Sequence, residues 1–528
     1  MGYYNDLREY IQVLEENNKL VRVKEEINKD TELMPLVSLQ FRGLSDADRK
    51  AFLFENIIDV KGRKYSTPVL VASHAGSREI YALAMKCKVE EIADRWRRAQ
   101  VSPIKPRVIG SGVVQEEQHI GDKLLEHGGL GEFPVPIATP GFDNAPYFTA
   151  GNCVSKDPDT GIGNVGNYRI MIKSPDRAGF NAYGLRHLGM HWEKYKQRGI
   201  PMPVAVVVGP TPNLGLVAVT KVPYGVDEYD VAGGIAGEPL SLVKCKTVDL
   251  EVPAAAEIVI EGTVPTDYLE REGPFAEHTG YIGMDGPNLV FNITAITHRK
   301  GAVWNAFISA FPPSESSLMR GLATESTFLK HLKEDLGLDA VTDVAFHRES
   351  GSYQFCVIRM KRTHPAQVWR AMYGAFSLDT ALAKIIIAVD DDIDPRDLDS
   401  VVWALCYRMQ PHCDIRSVEG KTAALDPSGV PPEERGKYAG RPPTSSLLIN
   451  ATRKWDYPPT ALPKKEFMER AMKIWEERLG LPRLNLKSPW YGQSLGYWPE
   501  YLEREAELAL EGEHYQTGEN MAKNRTQV

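Results

Sequence analysis

Apolar residues recur at helical spacing at the start of the chain, where Leu7, Tyr10, Ile11 and Leu14 share one face and predict a helix over residues 6–16. Residues 20–23 then read as a strand. Two further helices are expected near 78–86 and 89–100, before Pro103 and Pro106 close the unit. Residues 128–166 are rich in Gly, Pro and Asn and predict long ordered loops. From Tyr168 to about Ser309 the period changes to two. Tyr168, Ile170 and Ile172 alternate with Arg169, Met171 and Lys173, and Val248, Leu250 and Val252 alternate with Asp249 and Glu251. Runs at 258–260 and 289–296 continue the pattern, so a barrel-like β domain with one helix near 187–198 is expected. Beyond it, a helix over 316–336 leads into strand 354–360, helix 366–374, strand 384–389 and helix 395–409, the alternation of an α/β domain. Residues 420–460 read as loop-rich. Two charged helices, 464–479 and 498–511, form a tail expected to dock on a neighbouring subunit.

At 528 residues the chain exceeds what one compact core can hold. Its 43% hydrophobic and 25% charged residues exclude disorder and fibrous repeats. Lys+Arg number 62 against 70 Asp+Glu, so the net charge of −8 offers no basic field to nucleic acid, and a small-molecule partner is expected. Six cysteines without a CxxC pair predict reduced thiols in a cytoplasmic protein. No apolar run approaches the length of a membrane span.

Three motifs mislead. Gly161, Gly163 and Gly166 satisfy GxGxxG, but a turn precedes them and a strand follows, whereas a dinucleotide fingerprint needs a strand before and a helix after. Asp390-Asp-Asp-Ile-Asp394 resembles a magnesium cluster, yet it ends an apolar strand, with Asp394 expected to cap a helix that starts at Pro395. His187 and His191 stand at i, i+4, but Leu188 occupies the place of the glutamate a zincin protease needs.

Two segments concentrate chemistry. Asn164-Val-Gly-Asn-Tyr-Arg169 delivers a carboxamide and a guanidinium at the start of a strand. Glu272-Gly-Pro-Phe-Ala-Glu277-His-Thr-Gly-Tyr281 sets two carboxylates around a Gly-Pro turn. Two acids beside an arginine suit acid–base work, one kept protonated by burial and the other ionised against the cation; a solvated surface loop is the alternative.

Together these segments resemble the UbiD family, the decarboxylases that use prenylated FMN. The resemblance runs through Asp227-Glu228-Tyr229, Leu242-Val-Lys-Cys245, the run from Asp249 to Gly262, Thr297-His-Arg299, Phe311-Pro-Pro-Ser-Glu315 and Lys384 to Asp392, ending at Arg408-Met409. It implies an α/β (α+β) fold: an N-terminal α/β domain over 1–112, a split β-barrel flavin-binding domain over 113–312, a connecting helix over 313–337, a C-terminal α/β oligomerisation domain over 338–460 and a helical tail over 461–528.

The resemblance also implies a site. Asn164, His187 and Glu228 match residues that hold a divalent metal, usually Mn2+, against the flavin phosphate, with K+ beside it. Asn167, Tyr168, Arg169, Gly184, Leu185, Arg186, His187, Glu228 and Lys384 match cofactor-binding positions, Lys384 reaching the phosphate; His191 replaces His187 if the alignment slips by one turn. Arg169, Glu272 and Glu277 match the catalytic trio, Arg169 orienting the substrate carboxylate and Glu277 returning a proton to carbon. The implied reaction is reversible, non-oxidative decarboxylation of an aromatic or α,β-unsaturated acid. An aryl-CoA thioester or phenolic acid substrate, operation as a carboxylase, or an inactive flavin-binding subunit are the alternatives. A flavin prenyltransferase would supply the cofactor, and a homodimer or homohexamer is implied.

Overall fold

The computed structural model describes residues 2–184, 186–423, 425–431, 433–434, 442–523 and 526. The amino-terminal helix, Leu7–Glu16, buries the four apolar residues that its spacing predicts, and Asp6 caps it by accepting from the Glu9 N–H at 2.9 Å. Strands Leu20–Val23, Ala51–Phe54 and Val69–Val71 form a small sheet whose fourth strand, Trp304–Ala306, arrives from far downstream and pairs parallel with Val69–Val71. The amino-terminal unit is therefore closed by chain that follows the barrel. A second tie joins them. Glu257, fully buried, accepts from Nε and Nη2 of Arg8 at 3.0 Å each and from the Val303 N–H at 3.0 Å.

The central unit is a ten-stranded sheet. Its hydrogen-bonded path runs Gly163–Asn167, Asn152–Lys156, Met202–Val208, Ile258–Val264, Gly286–His298, Arg177–Phe180, Ile170–Ser174 and Tyr147–Phe148. Glu117–Ile120 and Glu270–Glu272 also pair with the long strand Gly286–His298. Strands adjacent in sequence, 163–167 and 170–174, lie at opposite ends of that path, as do 147–148 and 152–156. The sheet must curl until its ends approach, which makes it the expected split barrel. Within residues 128–166, strands 147–148, 152–156 and 163–167 stand where loops were expected, because Gly and Asn here serve tight strand connections. Two helices, Pro212–Ala218 and Glu228–Ala236, accompany the expected one at His187–Gln197.

Helix Glu315–Lys330 leads to a five-stranded sheet in the order Val341–Phe346, Phe355–Met360, Ile385–Asp390, Pro443–Ala451, Ile415–Thr422. Its inner strands are parallel and covered on both faces. Ile386 and Ala388 pack with Val368, Ala371 and Met372 of one helix, while Ile387 and Val389 pack with Val401 and Ala404 of another. The last two strands correct the loop-rich expectation for 420–460: their Ser, Thr, Lys and Glu belong to an edge pairing that needs no apolar alternation.

Asp390 and Asp392 make no metal cluster. Both are held by the buried guanidinium of Arg408, with Nη1 at 3.1 Å from Asp390 and Nη2 at 2.6 Å from Asp392. The following helix begins at Leu398 and is capped by Asp397, not Asp394. The tail helices Lys465–Lys473, Glu500–Leu510 and His514–Lys523 bury no residue.

Arg408→Met should destabilise the C-terminal domain by about 3–5 kcal/mol, because it leaves the buried Asp392 without its cation, whereas Asp390 keeps Arg362 and Arg453. Asp391→Asn, on the exposed neighbour, should change stability by less than about 0.5 kcal/mol. Urea unfolding of both variants checks the contrast, and equal effects would refute a structural role for the acidic run.

Candidate active site

Arg169 stands in the two-residue gap between strands Gly163–Asn167 and Ile170–Ser174, where the barrel wall is split. Its side chain is nearly buried and reaches the strand Glu270–Glu272. Nε donates to Oε1 of Glu272 and Nη2 to Oε2, both at 2.9 Å, a bidentate fork. Nη1 donates to Oε1 of Glu277. Glu272 is wholly buried and accepts a third bond from Asn181 Nδ2 at 3.2 Å, so its charge is fully compensated. Pairing of Phe275–Ala276 with Ile282–Gly283 forms a hairpin that holds Glu277 at its turn, where the Glu277 N–H donates to Tyr281 O at 3.0 Å. Phe275 lies under the guanidinium, 5.4 Å away. A Cβ on Gly283 would stand 3.1 Å from Arg169 Nη1, so glycine leaves room for the guanidinium.

Glu228 reaches strand Gly163–Asn167 at Val165, the neighbour of Asn164, and His187 approaches Glu228 from its own helix. Glu228 opens one helix and His187 another, so two positive helix ends face one region. Glu228 is buried, accepts the Val165 N–H at 2.8 Å, and has its carboxyl pushed up to about 8 by that burial. His187 Nδ1 is 4.0 Å from its Oε1. Burial also lowers the pKa of His187, which keeps the imidazole neutral and its lone pair available. The Asn164 amide is buried with its nitrogen unpartnered among the described residues, and turning the amide over would offer an oxygen in its stead. A carboxylate, an imidazole and an amide oxygen around uncompensated negative charge form a donor set that fits a hard divalent cation.

The other expected residues divide. Asn167 donates its Nδ2–H to Thr149 O at 3.0 Å, stitching the barrel edges, while its buried Oδ1 has no partner. Tyr168 packs in the core, its ring against Gly166 and its hydroxyl accepting from the Leu188 N–H at 3.3 Å. Gly184 and Arg186 sit on the approach to the His187 helix, Gly184 in a left-handed conformation; Leu185 lies outside the described residues. Lys384 is not joined to this group. Its Nζ lies 2.7 Å from Asp426 Oδ2 and 2.7 Å from Ser428 Oγ in the C-terminal domain. His191 is engaged by Ser155 Oγ at 2.9 Å. His278 is buried beside the acid, its Nδ1 4.0 Å from Glu277 Oε2, and burial drives its pKa far down, with Arg320, Arg186 and Lys221 acting the same way. The glycines of the false fingerprint have local reasons, since a Cβ on Gly163 would meet the Asp227 carboxylate at 2.5 Å.

Residues 109–312 match the 3-octaprenyl-4-hydroxybenzoate carboxy-lyase Rift-related domain, 11–100 the N-terminal domain and 317–451 the C-terminal domain of the same enzymes. An uncharacterized protein of Aquifex aeolicus is 32% identical over 511 residues, covering 91% of this chain and all of its own. Among solved structures, an evolved dimeric form of the UbiD-class enzyme HmfF from Pelotomaculum thermopropionicum in complex with prFMN is similar with a TM-score of 0.76 and 29% identity, over 88% of this chain and 98% of that one. The vanillic acid decarboxylase of Sedimentibacter hydroxybenzoicus is similar at 26% identity and a TM-score of 0.76, over 90% of this chain and 100% of that one. The chain belongs to the UbiD family of carboxy-lyases. No helix among the described residues is long and apolar enough to cross a membrane.

His187→Ala should abolish Mn2+ binding, whereas His191→Ala should retain it, because only His187 presents a free imidazole to Glu228. Electron paramagnetic resonance of Mn2+ titrated into each variant measures this, and the opposite pattern would assign His191 as the ligand.

Proposed function

We propose that this enzyme is a prenylated-FMN-dependent, reversible, non-oxidative decarboxylase of an aromatic or α,β-unsaturated carboxylic acid. The observation that supports the reading is one buried arginine shared between a fully compensated glutamate and a second glutamate at a hairpin turn. Asn164, His187 and Glu228 would hold Mn2+, with K+ nearby, against the flavin phosphate at the two helix ends. The flavin, when bound, supplies an electron sink for the charge left on carbon as CO2 departs, which no protein side chain stabilises well.

The chain's own residues do the rest. Glu272 fixes the plane of the Arg169 guanidinium through the bidentate fork, so the remaining N–H groups are aimed rather than free to rotate. Arg169 binds the substrate carboxylate. That anion competes with Glu277 for Nη1, and as Glu277 yields, its carboxylate is released to take up a proton from solvent. A protonated Glu277 then delivers its proton to the carbon that has lost CO2. His278, held neutral by burial, cannot serve as a competing cation beside it. The domains are taken as expected from the sequence, with a flavin prenyltransferase as cofactor supplier, a cytoplasmic location, and a homodimer or homohexamer formed through the exposed tail.

Glu277→Gln keeps an acceptor for Arg169 but has no proton to give. It should lower turnover roughly 10²–10⁴-fold while flavin remains bound. Flavin absorbance and CO2 release, measured on protein co-produced with a flavin prenyltransferase and offered a panel of aromatic and acrylic acids, test this. Wild-type turnover in that variant would remove Glu277 from the role.

A further inference from the structure

A second group of ligand-type side chains lies on the barrel, outside the site above. His119 and His298 sit on paired strands, Glu117–Ile120 and Gly286–His298. His119 stands opposite Ile296, so His119 and His298 are diagonal neighbours on one face of the sheet. The turn Gly129–Glu132 delivers Glu132 between them. Nδ1 of His119 is 3.0 Å from Glu132 Oε2, Nε2 of His298 is 3.5 Å from Oε1, and one ligand atom from each residue lies within 4.8 Å of the others. Gly286, at the other end of the long strand, pairs with Glu272. Twelve residues of extended chain put His298 about 40 Å along the strand from that acid.

The hydrogen bonding of this group is incomplete in a specific way. Nδ1 of His298 is 2.8 Å from the carbonyl oxygen of Arg299, which can only accept, so Nδ1 carries the proton. In the neutral ring Nε2 turns a lone pair toward a carboxylate oxygen, and against the lowering effect of burial Glu132 pushes the His298 pKa up. His119 is more than nine-tenths buried, and neither its Nδ1, nor His298 Nε2, nor Glu132 Oε2 has an aligned hydrogen-bond partner among the described residues. His127 lies flat on the His119 ring at 3.7 Å and Phe133 meets His298 edge-on at 5.6 Å, so both imidazoles are held in place. With its own proton on Nδ1, neutral His119 can face Glu132 as a donor, and one added proton on His298 Nε2 would relieve the second contact, so protons and a cation compete for this group. A divalent cation at the centre would satisfy all three donors. The His298–carbonyl bond is the outer contact that orients a metal-bound imidazole.

We propose that His119, Glu132 and His298 form a second metal site for a borderline divalent cation of the zinc class, with solvent completing the shell past the partly exposed Glu132. Its role is structural. It clips the turn Gly129–Glu132 to the short strand Glu117–Ile120 and to the end of the long strand Gly286–His298.

Cobalt alone is the probe, added to the full-length protein after chelation and removal of flavin. His187→Ala, which lacks a ligand of the flavin-side site, should still take up Co2+ with the visible bands of nitrogen–oxygen coordination, and Zn2+ should displace it. Glu132→Gln and His298→Ala, each placed in the His187→Ala background, should lose Co2+ affinity by more than the roughly 10–100-fold that loss of an outer partner costs. Should His298→Ala fail to fold, the isosteric Glu132→Gln decides by itself, with Zn2+ raising the melting temperature of His187→Ala but not of the double variant. Absence of cobalt bands in His187→Ala, or their survival at unchanged affinity in Glu132→Gln, would overturn the site and leave a histidine–carboxylate cluster held by protons alone.

Discussion

Tyr168 and Arg169 must join strands that stand at opposite ends of a hydrogen-bonded path, and that short reach dictates the shape of the central unit. Two residues span only about 10 Å between the flanking strands. The intervening strands therefore have to twist and curl until the ends of the sheet approach, which is how a sheet becomes a barrel. The connection from Phe148 to Asn152 repeats the demand across the same seam. Asn167 Nδ2–H donates to Thr149 O and links these two connections, so the seam is bridged by a side chain where a ladder is missing. A backbone that leaves the ladder at Arg169 is free to aim that side chain at the strand Glu270–Glu272. The seam and the acid pair are one feature.

Charge is distributed unequally around the seam. Arg169 has two carboxylates, and Glu272 has in addition the Asn181 amide, so that half is compensated without any ligand. Glu228 accepts the Val165 N–H, and burial drives its carboxyl toward neutrality. A buried carboxylate with so little compensation is costly unless a cation accompanies it. The arginine half carries its own counter-charges and is held rigid by them. The Glu228 half is completed only by what binds there.

Much of this was legible in the sequence, and the misses share a cause. Helices with an apolar stripe, such as Leu7–Glu16 and Ala366–Leu378, and the buried strand Ile385–Asp390 announce themselves by period. Helices Pro212–Ala218 and Glu228–Ala236 did not, because the first is buried at every residue and the second nearly so, leaving no polar face to set the period. The strands Ile415–Thr422 and Pro443–Ala451 were hidden by the polar composition of an edge pairing. His187 lies 4.0 Å from Glu228, whereas Lys384 is engaged by Asp426 and Ser428, partners that spacing could not reveal. The group at His119, Glu132 and His298 is the clearest case. Its members are 13 and 166 residues apart, a spacing that belongs to no metal motif. Only the antiparallel register that sets His119 against Ile296, and the turn folded over it, brings the three donors together. Sequence spacing reports ligands that share an element. Ligands assembled across strands are written in the register, and that register follows from the same curled sheet that exposes Arg169 at the seam.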